Sequence, residues 1–335
     1  MLALALLVMS ADPTPIFPEG AKLEKLFTRT AALKGGLTEG PAVAPDGSIY
    51  FTDIPHGPDK GQILRFDPKT GKTEVFTDDS RKANGLMFDP EGRLVACEGA
   101  DFGGRGIARY DVKTKKRTVL TDNYKGKKYN APNDLVIDAK GRIYFTDPRY
   151  VGTEPRELEH HAVYRIDTDG TVTQITTATE KPNGIILSQD GKTLYVADHN
   201  NGSDDISKEK REPGAMTILA FPLDDKGNVG KPRVIHDFGR GPGCDGMTVD
   251  VKGHIYLTSR NPKRPGVIVI NPEGKEVAFL PTGPQGQDAT KPVVGLPSNV
   301  VFGIGEESKT LYITIDTSLY RVKANIDGFH PARGK

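Results

Sequence analysis

Short apolar runs broken by tight turns recur along the whole chain, and their spacing is regular. Six stretches open on a polar residue and continue as strand, turn and strand. They are EGPAVAPDGSIYFTD from Glu39, NGLMFDPEGRLVACE from Asn84, NDLVIDAKGRIYFTD from Asn133, NGIILSQDGKTLYVAD from Asn183, DGMTVDVKGHIYLTS from Asp245 and NVVFGIGEESKTLYIT from Asn299. In the first five a glycine stands eight positions after the opening residue, at Gly47, Gly92, Gly141, Gly191 and Gly253. Such glycines supply the positive φ that hairpin turns require. The sixth stretch has a longer turn and no glycine at that offset. The second strands (SIYFT, RIYFT, TLYVA, HIYLT, TLYIT) are rich in β-branched and aromatic residues, which favour strands. A third strand follows in each unit (ILRFD, IARYD, VYRID, ILAFP, VIVIN, LYRVK), and then an outer segment such as TEVFT or RTVLT.

Four strands per unit, repeated six times at this spacing, predict an all-β fold: a six-bladed β-propeller of four-stranded antiparallel blades within residues 20–330. The last blade runs out of sequence near Asp327. Lys22–Thr28 is therefore expected to supply its outer strand and close the ring. A length of 335 residues fits one closed all-β unit, and 38 glycines and 25 prolines fit its many turns.

Charge excludes some partners. With 45 basic and 44 acidic residues there is no bias toward nucleic acid or anionic membrane. The basic runs 113–117, 125–128 and 208–211 read as solvated loop faces. Two cysteines, Cys97 and Cys244, allow one bridge but fit buried small hydrophobes better, and no zinc-ligand spacing exists. The apolar start, MLALALLVM, is far shorter than the ~20 residues of a spanning helix. Residues 1–11 read instead as a signal peptide, although no Lys or Arg precedes the apolar run. That implies a secreted or periplasmic protein, with the cytoplasm as the alternative.

The first strand of each blade lines the central channel, so the six opening residues fall near one mouth. Glu39, Asn84, Asn133, Asn183, Asp245 and Asn299 are all oxygen donors. One reading is that they cap strand ends and meet channel water. The sharper reading is an all-oxygen cage for one divalent cation, Ca2+ first, then Mg2+ or Mn2+, and Zn2+ last for want of His or Cys ligands. Glu39 and Asp245 would balance its charge. No GxSxG, HExxH, P-loop or GxGxxG motif is present. Glu98, Arg149, Tyr150 and His199 follow or end second strands, on loops placed to roof the channel and contact substrate.

These residues resemble the gluconolactonase/regucalcin-like family over nearly the whole chain after about residue 20. The resemblance rests on TEGP (38–41), YFTDIP (50–55), NGLMFD (84–89), DNYKGKKYNAPNDL leading to IYFTDP (122–148), 181–198 and CDGM (244–247). It implies a six-bladed propeller that opens small-molecule lactones with one divalent ion. It narrows the ligands to Glu39, Asn133, Asn183 and Asp245, and leaves Asn84 and Asn299 for substrate or a bound water. It also implies Asp245 as general base, with metal-bound hydroxide as the rival. The chain departs from the family at Gly99–Phe102 and at Ala131, where animal relatives carry an arginine, so substrate identity stays open. A phosphotriester or aryl ester hydrolase and a non-catalytic binding propeller are the alternatives.

Overall fold

The computed structural model describes residues 14–30, 33–204 and 212–333. The expected signal peptide at 1–11 and the basic run 208–211 lie outside the described residues. Each predicted unit forms one four-stranded antiparallel sheet in sequence order. The first strands are Leu37–Val43, Ala83–Phe88, Leu135–Ile137, Pro182–Leu187, Cys244–Val249 and Pro297–Phe302 for blades 1 to 6. Each of these touches the first strand of the blade on either side, which closes a ring of six. The ring is sealed from the N-terminal side, where Glu24–Thr28 pairs antiparallel with Ser318–Lys323 as the outer strand of blade 6. Among the described residues no helix is long and apolar enough to cross a membrane.

The repeated glycines do what their spacing implies. Gly47, Gly92, Gly141, Gly191 and Gly253 adopt φ between 68° and 88°, and each N–H donates to the carbonyl three residues back. In blade 6 a short 3-10 turn, Gly305–Glu307, replaces this hairpin. Neighbouring sheets pack face to face through the apolar residues of the inner strands. Tyr50 meets Phe88 of the next blade edge-on at 5.2 Å, and Tyr256 meets Phe302 in the same way at 5.0 Å. Cys97 and Cys244 are buried free thiols.

Inter-blade bonds fix the register at the channel. Thr52 Oγ1 donates to Asn84 O (3.1 Å), Thr146 Oγ1 to Asn183 O (2.7 Å) and Thr258 Oγ1 to Ser298 O (3.0 Å). The sixth ring position is therefore Ser298, and the expectation for Asn299 is corrected by one residue. Asn299 is instead the counterpart of Asp134. In both, a side-chain oxygen accepts the next N–H, and Asn299 Nδ2 donates to Asp134 Oδ2 across the channel at 3.3 Å. The other four blades have glycine at this position: Gly40, Gly85, Gly184 and Gly246. A Cβ there would lie 2.0 Å from Asn84 O, 2.3 Å from Asp134 Oδ1, 2.3 Å from Asp245 O and 2.0 Å from Asn299 Cγ, respectively. The opposite mouth opens into a cavity of ≈ 380 Å³, lined by Met87, Ile186 and Val300 with the C-terminal segment Phe329–Arg333.

Two outcomes test this architecture. Gly184→Ala should lower stability by roughly 2–3 kcal/mol in urea unfolding, since its Cβ meets a neighbouring backbone oxygen that cannot swing aside. His330, partly buried with Nε2–H on Gly303 O, has its pKa pushed down to about 4 by burial, reinforced by Arg333. Below the ordinary value of 6.5 the unfolded chain takes up a proton that the folded chain refuses until about pH 4. Stability should thus fall as pH drops through that interval, and His330→Gln should remove a part on the order of 2 kcal/mol from the slope in thermal melts at pH 4 to 7.

Candidate functional site

Five of the six inner strands are bulged at the ring, after Glu39, Ala83, Pro182, Cys244 and Pro297, which re-aims the side chains there. The inner strand of blade 3 pairs without a register shift and starts just past Asn133. Glu39, Asn84, Asn133, Asn183 and Asp245 line one cavity of ≈ 220 Å³. Tyr150 joins it from the loop after the second strand of blade 3, and His199 from the end of the second strand of blade 4. Five of the six expected ring residues thus meet, together with two of the four expected roof residues.

Three candidates lie elsewhere. Asn299 faces the opposite cavity with Asp134. Glu98 is buried at the end of its strand, where it accepts both Arg117 Nε (2.6 Å) and Arg117 Nη2 (2.5 Å). Its register matches Asp147 and Asp198, whose carboxylates accept backbone N–H groups of Asn130 and Ala131, and of Glu180 and Lys181. Asp147 and Asp198 thus tie down the approach to the inner strand, whereas Glu98 ties down the outer strand Arg117–Thr121. Arg149 is fully buried and donates to Asn130 O and to Glu154, outside the cavity lining.

The expected cation is corrected. Among the described residues no group of three or more His, Cys, Asp or Glu side chains is placed to hold a metal ion. The acids have protein partners instead. Glu39 Oε2 accepts the Gly40 N–H at 2.9 Å, and Asp245 Oδ2 lies 3.5 Å from Arg260 Nε. The third acid, Asp134, stands one residue past the ring and is held by Asn299. The charge balance assigned to a cation falls in part to Arg260.

Electrostatics at the mouth follow from burial. Glu39 is held well above the usual carboxylate range, first by burial and then by Asp245. Asp134 is pushed up to about 7 by burial, against the Leu135 N–H and Asn299. Burial lowers the His199 pKa, so its imidazole is neutral. Its Nδ1–H donates to Cys244 O at 2.9 Å, which leaves Nε2 as an acceptor. Tyr150 donates to His199 O at 3.0 Å and packs edge-on against the same ring. The cavity therefore offers amide groups, an aromatic ring, an imidazole acceptor and carboxylates, a set that can hydrogen-bond a polar molecule.

Arg260, His56 and Lys82 also line the cavity and were missed in the sequence. Arg260 follows the second strand of blade 5, as His199 ends that of blade 4, so the rule that found His199 was enough to find it. Lys82 sits two residues before Asn84, and its Nζ donates to Pro55 O (2.7 Å) and Gly57 O (2.8 Å).

Fold and mouth together define a six-bladed propeller with an acid- and amide-lined cavity on its axis. The model of the SMP-30/gluconolactonase/LRE-like region matches residues 37–317, and the chain belongs to that family. It is 30% identical over 312 residues to the gluconolactonase of Zymomonas mobilis subsp. mobilis, covering 87% of this chain and 79% of that one. It is 29% identical over 232 residues to the pentonolactonase of Haloferax volcanii, covering 68% of each. Among solved structures, the gluconolactonase of Xanthomonas campestris superposes with a TM-score of 0.72 at 28% identity, covering 91% of this chain and 89% of that one.

Asp245→Asn tests the charge pairing at the mouth. Losing this acid should let Glu39 ionise more readily, since Asp245 is the second cause of its raised pKa after burial. The Glu39 carboxyl, followed by carbon-detected NMR titration, should then titrate at lower pH than in the wild type.

Proposed function

We propose that the chain hydrolyses a lactone at this cavity, a sugar lactone first, with Asp245 as the base that activates water. The observation that carries the proposal is the position of Asp245. It is a carboxylate on the channel axis, in a cavity shared with three asparagines of neighbouring blades. The family, and relatives named for gluconolactone and pentonolactone hydrolysis, support the choice of reaction.

The chemistry needs few groups. Asp245 accepts a proton from water as the oxygen attacks the lactone carbonyl carbon. The tetrahedral intermediate collapses by breaking the ring C–O bond, and the ring oxygen leaves as a hydroxyl after taking that proton. The product is a hydroxycarboxylate. Amide N–H groups of Asn84, Asn133 and Asn183 are the donors available to the developing oxyanion. Tyr150 and the His199 Nε2 acceptor orient the ring hydroxyls.

A panel of gluconolactone, phenyl acetate and a phosphotriester tests the reaction class. Gluconolactone should be turned over fastest, and Asp245→Asn should lower its kcat/KM about 100-fold or more, mainly through kcat. Full turnover by that variant would remove Asp245 as the base. Preference for the aryl ester or the phosphotriester would move the chain to another hydrolase class, and turnover of none would favour a ligand-binding propeller.

A further inference from the structure

We propose that Arg260 is a subsite for a carboxylate on the substrate, so that the preferred lactones are those carrying an acid group. The inference deepens the lactonase reading and rests on it.

Arg260 lines the cavity from the end of blade 5, and its side chain is 25% exposed. Its Nη1 is buried and has no hydrogen-bond partner. Its Nε lies 3.5 Å from Asp245 Oδ2, a distance for charge attraction but too long for a good hydrogen bond. Arg109 Nε and Arg165 Nε also lack hydrogen-bond partners, but neither residue lines this cavity, and three other buried arginines are well supplied. Arg105 donates to Tyr129 O and Pro155 O, Arg149 to Asn130 O and Glu154, and Arg29 to both oxygens of Asp53. A guanidinium with unspent donors beside a cavity is unfavourable until an acceptor arrives. Its planar fork matches a carboxylate, which takes two parallel N–H bonds.

The remaining charges make Arg260 decisive. Glu39 and Asp245 line the same cavity, so an incoming carboxylate meets acids as well as the guanidinium. Lys82 adds a second positive charge, but its ammonium is engaged by Pro55 O and Gly57 O. Without Arg260 the cavity should disfavour an acidic ring. A neutral sugar lactone offers the exposed part of the guanidinium a hydroxyl at best.

The test compares D-glucaro-1,4-lactone with D-glucono-1,4-lactone, which differ by a carboxylate in place of a hydroxymethyl group. Wild-type kcat/KM should favour the acidic lactone by between about tenfold and a hundredfold. In Arg260→Met that ratio should collapse to one or invert, with Arg260→Lys intermediate and all three proteins melting cooperatively. Equal loss on both lactones would overturn the proposal, because Arg260 would then serve only Asp245. Calorimetric binding of glucarate and of glucitol, the polyol of the same length without a carboxylate, separates this from the reaction itself. Tighter glucarate binding that Arg260→Met abolishes, in a protein that opens neither lactone, would keep the subsite and sink the lactonase reading. Turnover of both lactones with no preference in the wild type would sink the subsite alone.

Discussion

Crowding at the channel waist governs this molecule. Six inner strands converge until a single Cβ no longer fits between them, and four blades answer with glycine directly after the ring residue. The other two carry Asp134 and Asn299 there, and these two fill the axis and bond to one another. Thr52, Thr146 and Thr258 then tie three of the seams through hydroxyl-to-carbonyl bonds. Five of the six inner strands are also bulged at the same level, which re-aims their side chains beside the crowded waist.

The waist also divides the channel chemically. Above it, acids and amides share a small cavity with the Tyr150 ring and the imidazoles of His56 and His199. Below it, the lining is chiefly aliphatic and the C-terminal segment contributes Phe329 and Pro331. Asp134 sits at the boundary, where burial raises its pKa and the Asn299 amide offsets part of that. Above the waist, the Arg260 guanidinium stands beside Asp245. An acid pair with a guanidinium neighbour is a different electrostatic object from an acid pair around a cation: its positive charge is tethered to one blade and has a direction.

Most of the fold was legible because it depends on local rules. Hairpin glycines need positive φ, strand residues alternate or run apolar, and a missing outer strand must be found elsewhere. Glu24–Thr28 falls within the segment Lys22–Thr28 expected for it. The register failed only in blade 6, where the hairpin glycine used for counting is replaced by a 3-10 turn. Asn299 then looked like the opening residue, although Ser298 is. The roof was less legible because acids at the ends of second strands have two fates. Asp147 and Asp198 bind backbone N–H groups, and Glu98 binds Arg117. All three look alike in sequence. The cation was inferred from a register of oxygen donors and the family resemblance, and neither shows that the Gly40 N–H bonds Glu39 or that Arg260 stands beside Asp245.

The position two residues before the ring shows how one repeat yields an asymmetric mouth. In blade 2 it is Lys82, in blade 4 Lys181, and in blade 3 Ala131. Both lysines are buried and donate to loop oxygens, Lys82 to Pro55 O and Gly57 O, and Lys181 to Asn201 Oδ1 and Ser203 O. Burying an ammonium is costly unless its donors are met, so each loop is held in the one conformation that meets them. Lys181 Nζ also lies 4.9 Å from the Tyr150 ring centroid, which fixes that ring at the cavity wall. Ala131 has no such reach, and it lines the cavity itself. Two blades therefore use this position to brace the rim, while the blade between them keeps it small.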